Sequence, residues 1–170
     1  AKDKNVKGII FSARWSYYTL GDYDFSGGQL ISNKENGPFT LHHSIDTFSK
    51  AFDSTVKKYN SIEVPIHLIT QPPHQKYPAE SVYFFISNEI GSIEAMSVTR
   101  SDFHKLNEIP MNIFFSHEND IDIYDITNLF CKESICLIGE RARSFYSDNN
   151  HLSTYGALKL SNTIESIFSE

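Results

Sequence analysis

Apolar residues along the chain follow two kinds of pattern. Short runs rich in Ile and Val lie at Val6 to Ser12, Ile62 to Thr70 and Ile121 to Tyr124. Runs of this length and composition predict buried strands of a parallel sheet. Between them, apolar residues recur at steps of three and four. Ile45, Phe48, Phe52, Val56 and Tyr59 form one such stripe, with Ser44 expected as N-cap, Asp46 in the first turn and Lys57 and Lys58 in the last. Phe103, Leu106, Ile109, Ile113 and Phe114 form a second helix beginning at Thr99, in which Pro110 predicts a kink or a break. Ser153 is expected to cap a last helix that turns Ala157, Leu160, Ile164, Ile167 and Phe168 inward. Val82 to Ile86 fits a strand and a buried helix equally, and Ser144 to Tyr146 a short extended segment. Residues 21 to 40 carry Gly21, Gly27, Gly28, Gly37 and Pro38 and are expected to form a long loop, with Gly21-Asp22 as a turn.

The order strand, loop, helix, strand, helix, strand, helix predicts an α/β fold with a parallel sheet covered on both faces. In such folds chemistry sits on loops beyond the carboxyl ends of the strands. A chain of 170 residues suits one domain of this kind, expected over 1–170, and 40% apolar residues can build a sizeable core. The net charge of −6 argues against nucleic acid and against anionic lipid as partners. No apolar run approaches the ~20 residues that span a bilayer. The opening Ala-Lys-Asp-Lys-Asn leads straight into a strand-like segment without a signal-peptide pattern, as expected of a cut inside a larger protein. Cys131 and Cys136 stand five apart. That spacing fits free thiols, and it fits a disulfide if the backbone turns back on itself. No His or Cys pair at finger-like spacing points to zinc, and no other set predicts a metal site. The acidic stretch Glu118 to Asp125 reads as a solvated entry to a strand.

The densest chemical signal is Tyr146-Ser-Asp-Asn-Asn-His-Leu-Ser-Thr-Tyr-Gly156. Asp148 and His151 lie in a loop just before a capped helix, so the carboxylate can fold back onto the imidazole. An Asp on Nδ1 fixes the ring tautomer and leaves Nε2 to take a proton from a hydroxyl. The alternative is an acidic turn beside a helix-capping histidine. Of the other histidines, His42 and His43 read as a solvated loop and His67 as a strand residue. His74 follows two prolines near a strand's carboxyl end and is expected to border the site.

Asp148-x-x-His151-Leu-Ser, followed by Gly156 and an apolar helix, resembles the last block of SGNH hydrolases. Ile9-Ile-Phe-Ser-Ala-Arg-Trp15 is similar to a segment of one branch, the SGNH domains fused to family-3 membrane acyltransferases. Val64-Pro-Ile-His-Leu-Ile69, leading into Gln71-Pro-Pro-His74, and the segment Asp125 to Cys136 fit the same branch. The resemblance implies an SGNH-hydrolase-like three-layer α/β/α fold with a parallel sheet. It implies O-acyl, usually acetyl, transfer to sugar hydroxyls of a bacterial surface glycan such as O-antigen, through a Ser-His-Asp triad with Asp148 and His151. It further implies that the domain needs no cofactor, that a fused or associated membrane acyltransferase domain supplies the acyl donor, and that the domain lies on the periplasmic face of the inner membrane. A disulfide between Cys131 and Cys136 belongs to the same picture.

The sequence departs from the family at the nucleophile. No Gly-Asp-Ser occurs, and Gly21-Asp22 is followed by Tyr23. The serine is therefore expected on a separate N-terminal segment, along with the strand that leads to it. Ser12, Ser16 and Ser26 are the substitutes within the chain. Arg14 and Trp15 are a packed indole with a cation stacked on it, or else oxyanion and substrate contacts at the rim. In the second case the pocket opens between the His151 loop and the carboxyl end of the Val6 to Ser12 strand. Two rival functions remain. One is a carbohydrate acetyl esterase of the SGNH family. The other is an inactive module that binds glycan through Tyr17, Tyr18, Tyr23 and Phe25.

Overall fold

The computed structural model describes residues 6–21 and 30–169. In chain order the elements are β1 (Ile9–Ser12), α1 (Trp15–Leu20), α2 (Leu41–Asn60), β2 (Ile66–Ile69), α3 (Ala79–Ser87), α4 (Ile93–Met96), β3 (Val98–Thr99), α5 (Arg100–Phe115), β4 (Asp122–Tyr124), α6 (Thr127–Phe130), β5 (Cys131–Lys132), β6 (Ile135–Cys136), β7 (Gly139–Glu140), β8 (Arg143–Ser144), α7 (Thr154–Ala157) and α8 (Ser161–Phe168). A single 3₁₀ turn, Leu158–Leu160, joins the last two helices. The chain groups into two compact units, one of residues 1–71 and 106–124, the other of 72–105 and 125–170.

The first unit is built on a parallel sheet in the order β1-β2-β4, which establishes the expected α/β class. Ile9 pairs with Ile66 and Phe11 with Leu68, and Leu68 in turn pairs with Ile123. These alternate residues share one face, because side chains on a strand repeat with a period of two. The amphipathic stripe of α2 and the end of α5 cover that face. Trp15, Phe52, Val56, Ile66, Leu68, Phe114 and Ile121 are its buried centre. Trp15 and Phe52 both pack against Phe114, with ring centroids 5.1 and 5.0 Å away. β2 is buried at all four positions, as the middle strand of a sheet should be, whereas β1 alternates.

The second unit holds two small antiparallel ribbons, β3-β6-β5 and β7-β8. Cys131 lies directly opposite Cys136 in the β5-β6 hairpin and is disulfide-bonded to it. Val98, Phe103 and the two cysteines form a buried cluster there.

Several expectations need correction. α2 begins at Leu41, not Ser44, and its N-cap is Thr40, whose hydroxyl accepts from the His43 N–H at 3.3 Å. His42 and His43 are thus in the first turn of a helix and not in a loop. Ser44 is buried, its hydroxyl accepting from Ile31 N and donating to Tyr18 O. Val82 to Ile86, left open between strand and helix, is helical. α5 runs unbroken through Pro110. Phe168, expected to face inward, is 77% exposed, while its neighbour Ile167 is buried. Gly21 ends α1 in the left-handed conformation, at φ 79°. Asp22, Tyr23, Phe25, Ser26, Gly27 and Gly28 lie outside the described residues. No described helix is long and apolar enough to cross a membrane.

Candidate active site

The loop that carries Asp148 and His151 is closed by short-range bonds. Tyr146 and Leu152 form an antiparallel bridge, and the Ser147 N–H donates to His151 O at 2.8 Å. Within the loop one oxygen of Asp148, Oδ1, accepts from the backbone N–H groups of Asn150 and His151, each at 2.7 Å. This is the turn an Asp builds from its own side chain. The other oxygen, Oδ2, lies 2.6 Å from His151 Nδ1. An ionised carboxylate only accepts, so Nδ1 carries the proton in this pair and Nε2 is the acceptor.

Burial works against the ionised form of Asp148. The backbone N–H groups of His151 and Asn150, together with the bond and charge of the His151 ring, outweigh it and hold the carboxyl at about 2. The His151 side chain is 63% exposed. His67 makes an instructive contrast in the first unit. Its Nδ1 is 3.3 Å from Asp122 Oδ2, but the residue is buried and its Nε2 abuts the backbone of Gly8, where an added Cβ would sit 3.1 Å away. A third pair, His117 with Asp120, is looser at 3.9 Å and its histidine is largely buried; of the three, the exposed pair at His151 has the geometry of a general base.

Neighbouring backbone fixes the loop in place. Asp148 O accepts from the Ala79 N–H at the start of α3, and Asn149 O from the Gln75 N–H at 2.7 Å. Ser153 caps α7 as expected, its hydroxyl accepting from Gly156 N and donating to Ser144 O. Gly156 is tight against the strand before the loop: a Cβ there would stand 1.9 Å from Phe145 O. Gln75 was not foreseen in the sequence. It is fully buried, its amide nitrogen donating to Cys136 O at 3.0 Å and its carbonyl accepting from Val98 N at 3.2 Å. Through this one residue the His151 loop is tied to β3 and to the disulfide hairpin. His74 Nε2 lies 3.5 Å from Asn149 Nδ2, so His74 does border the loop.

The remaining expected site residues belong to the first unit. Trp15 is a core residue, 8% exposed, and its indole N–H donates to Ile69 O at 2.9 Å. Arg14 is exposed, with its guanidinium 4.8 Å from the centre of the Tyr17 ring, not stacked on Trp15. Ser16 is fully buried and exchanges hydrogen bonds with the Gln71 amide, so its hydroxyl is committed to structure. Ser12 is exposed at the end of β1. Among the described residues no three His, Cys, Asp or Glu side chains are grouped as metal ligands would be.

Comparison with known proteins bears on this arrangement. No curated protein sequence matches the chain. Among solved structures, the periplasmic domain of a lipopolysaccharide acetyltransferase from Salmonella ser. Paratyphi A is similar, with a TM-score of 0.55 at 17% identity. The match covers 87% of this chain and 60% of that one, so the chain spans somewhat less than two thirds of the solved domain. At this identity the likeness establishes a shared fold. A family profile described as "SGNH domain (fused to AT3 domains)" matches residues 1–166, and the chain therefore belongs to that family of SGNH domains.

Proposed function

We propose that the chain is the acyl-transferring part of an O-acetyltransferase that modifies sugar hydroxyls of a bacterial surface glycan. The observation that carries this reading is the 2.6 Å contact of Asp148 with His151 Nδ1, made by a histidine whose side chain is largely exposed. In the proposed cycle a serine on a segment outside residues 1–170 attacks the carbonyl of an acyl donor. His151 Nε2 takes the serine proton and passes it to the leaving group. A sugar hydroxyl then attacks the acyl-serine. Its proton goes to Nε2 and returns to the serine oxygen. Asp148 stays ionised throughout, holding the tautomer and stabilising each imidazolium. The family description supports fusion to an AT3 domain, which in this reading lies in the membrane and supplies the acyl groups, and the likeness to a periplasmic domain supports a place on the periplasmic side.

The test uses the intact protein with an activated acetyl ester as donor, with and without a glycan acceptor. His151→Ala should lower acetyl transfer by about 10³-fold or more. Transfer that survives the substitution would overturn the reading. Acetate release that ignores the acceptor would make the protein an esterase instead.

A further inference from the structure

The β7-β8 hairpin and α7 enclose an open cleft of about 570 Å³ in the second unit, lined by Glu140, Arg141, Ala142, Arg143 and Tyr155. Its walls flank the His151 loop in sequence: β8 leads into the loop and α7 leads out. Tyr155 is held firmly. Its ring stacks on Phe145, with centroids 5.7 Å apart, and its hydroxyl donates to Glu140 Oε1 at 2.5 Å. The Arg143 guanidinium lies 5.3 Å from the centre of the same ring. A guanidinium stacked on a ring keeps its N–H edges directed outward, ready for bidentate pairing. Arg141 occupies the hairpin turn at φ 53°, a left-handed conformation that is strained for an arginine. Lys159 stands over Phe145 at 4.3 Å and adds positive charge. Two arginines thus line one cleft on a chain whose net charge is −6.

The mixture of groups defines the ligand. Two guanidinium groups match a planar carboxylate. A dianionic phosphate would also attract them, but the Glu140 carboxylate in the same wall repels a second negative charge. That carboxylate and the Tyr155 phenol are suited to hydroxyl groups. Donors for one carboxylate, beside acceptors for hydroxyls, are what an acidic sugar requires.

We propose that this cleft is a subsite for a carboxylated sugar of the acceptor glycan, with Arg141 and Arg143 on the carboxylate and Glu140 on the hydroxyls. A role of the subsite in transfer rests on the acyl-transfer reading; the binding itself does not. Calorimetric titration of the intact protein with methyl glucuronoside, methyl glucoside and inorganic phosphate tests it. The glucuronoside should bind, and the neutral glucoside should bind at least ~10-fold more weakly, the loss expected when charge-assisted bonds are removed. Arg143→Gln should weaken glucuronoside binding by a similar factor. Arg141→Gly should weaken it too while leaving the fold at least as stable, because glycine adopts the turn without strain. His151→Ala should leave binding unchanged. Equal binding of both glycosides, phosphate binding without the glucuronoside, or glucuronoside binding indifferent to Arg143 would each overturn the subsite. Loss of the subsite with transfer still dependent on His151 leaves the proposed activity standing; intact binding with His151-independent chemistry does the reverse.

Discussion

Asp148→Asn separates the chemistry of the site from its architecture. The amide keeps an oxygen for the Asn150 and His151 N–H groups, so the turn that shapes the loop should survive. Its NH₂ replaces Oδ2 opposite His151 Nδ1, at a contact of 2.6 Å. A donor there forces Nδ1 to accept, which places the ring proton on Nε2 and removes the base. In a Ser-His-Asp enzyme the corresponding change lowers kcat by about 10⁴-fold, and a loss of that order is expected in acetyl transfer. Stability should respond in a way set by the sign of the shift. The Asp148 carboxyl is held at about 2, against about 3.9 in an unfolded chain. Its contribution is therefore fully present above pH ~4 and is lost as pH falls towards ~2. A shift of that size corresponds to ~2.6 kcal/mol. The side chain is 45% exposed, and solvent screening reduces the expected effect to ~1 kcal/mol. Urea unfolding of both proteins between pH 2 and 7 reads this difference, which should close at the acid end. A variant that folds normally and keeps kcat within threefold of the original would refute the role given to Asp148.

Gly156→Ala places a Cβ 1.9 Å from Phe145 O; backbone must move, and transfer should fall together with stability, measurable by urea unfolding beside the activity assay. Replacing Cys131 and Cys136 together with serine opens a loop with a sequence separation of five, which should cost about 2 kcal/mol in the chain-entropy account; an unchanged unfolding midpoint would count against it. Arg14→Lys keeps the charge and loses the planar fork. If Arg14 meets the oxyanion or substrate, transfer should slow ~10-fold or more, whereas unchanged turnover assigns it to its packing over Tyr17.

What the sequence determined by itself was local or periodic. The three parallel strands were legible as short runs rich in Ile and Val, and the stripe of α2 because burial on a helix repeats at 3.6 residues. The contact of Asp148 with His151 was legible because both lie in one short loop, closed by the aspartate's own side chain. The cap of α2 was misplaced for a tertiary reason. Thr40 and Ser44 are both good capping residues, and Ser44 is excluded because its hydroxyl bonds Ile31 and Tyr18 across the unit. Ser16 and Trp15 were open as functional candidates until the fold committed the serine to Gln71 and the indole to the end of β2. Gln75 gave no signal, since its side chain acts on Val98 and Cys136, 23 and 61 residues away. The cleft at Glu140, Arg143 and Tyr155 likewise joins residues that share no periodicity. Hydrogen bonds between near neighbours follow from residue type and spacing. Those between distant groups depend on which backbone atoms the packed core leaves without partners, and the fold alone supplies that information.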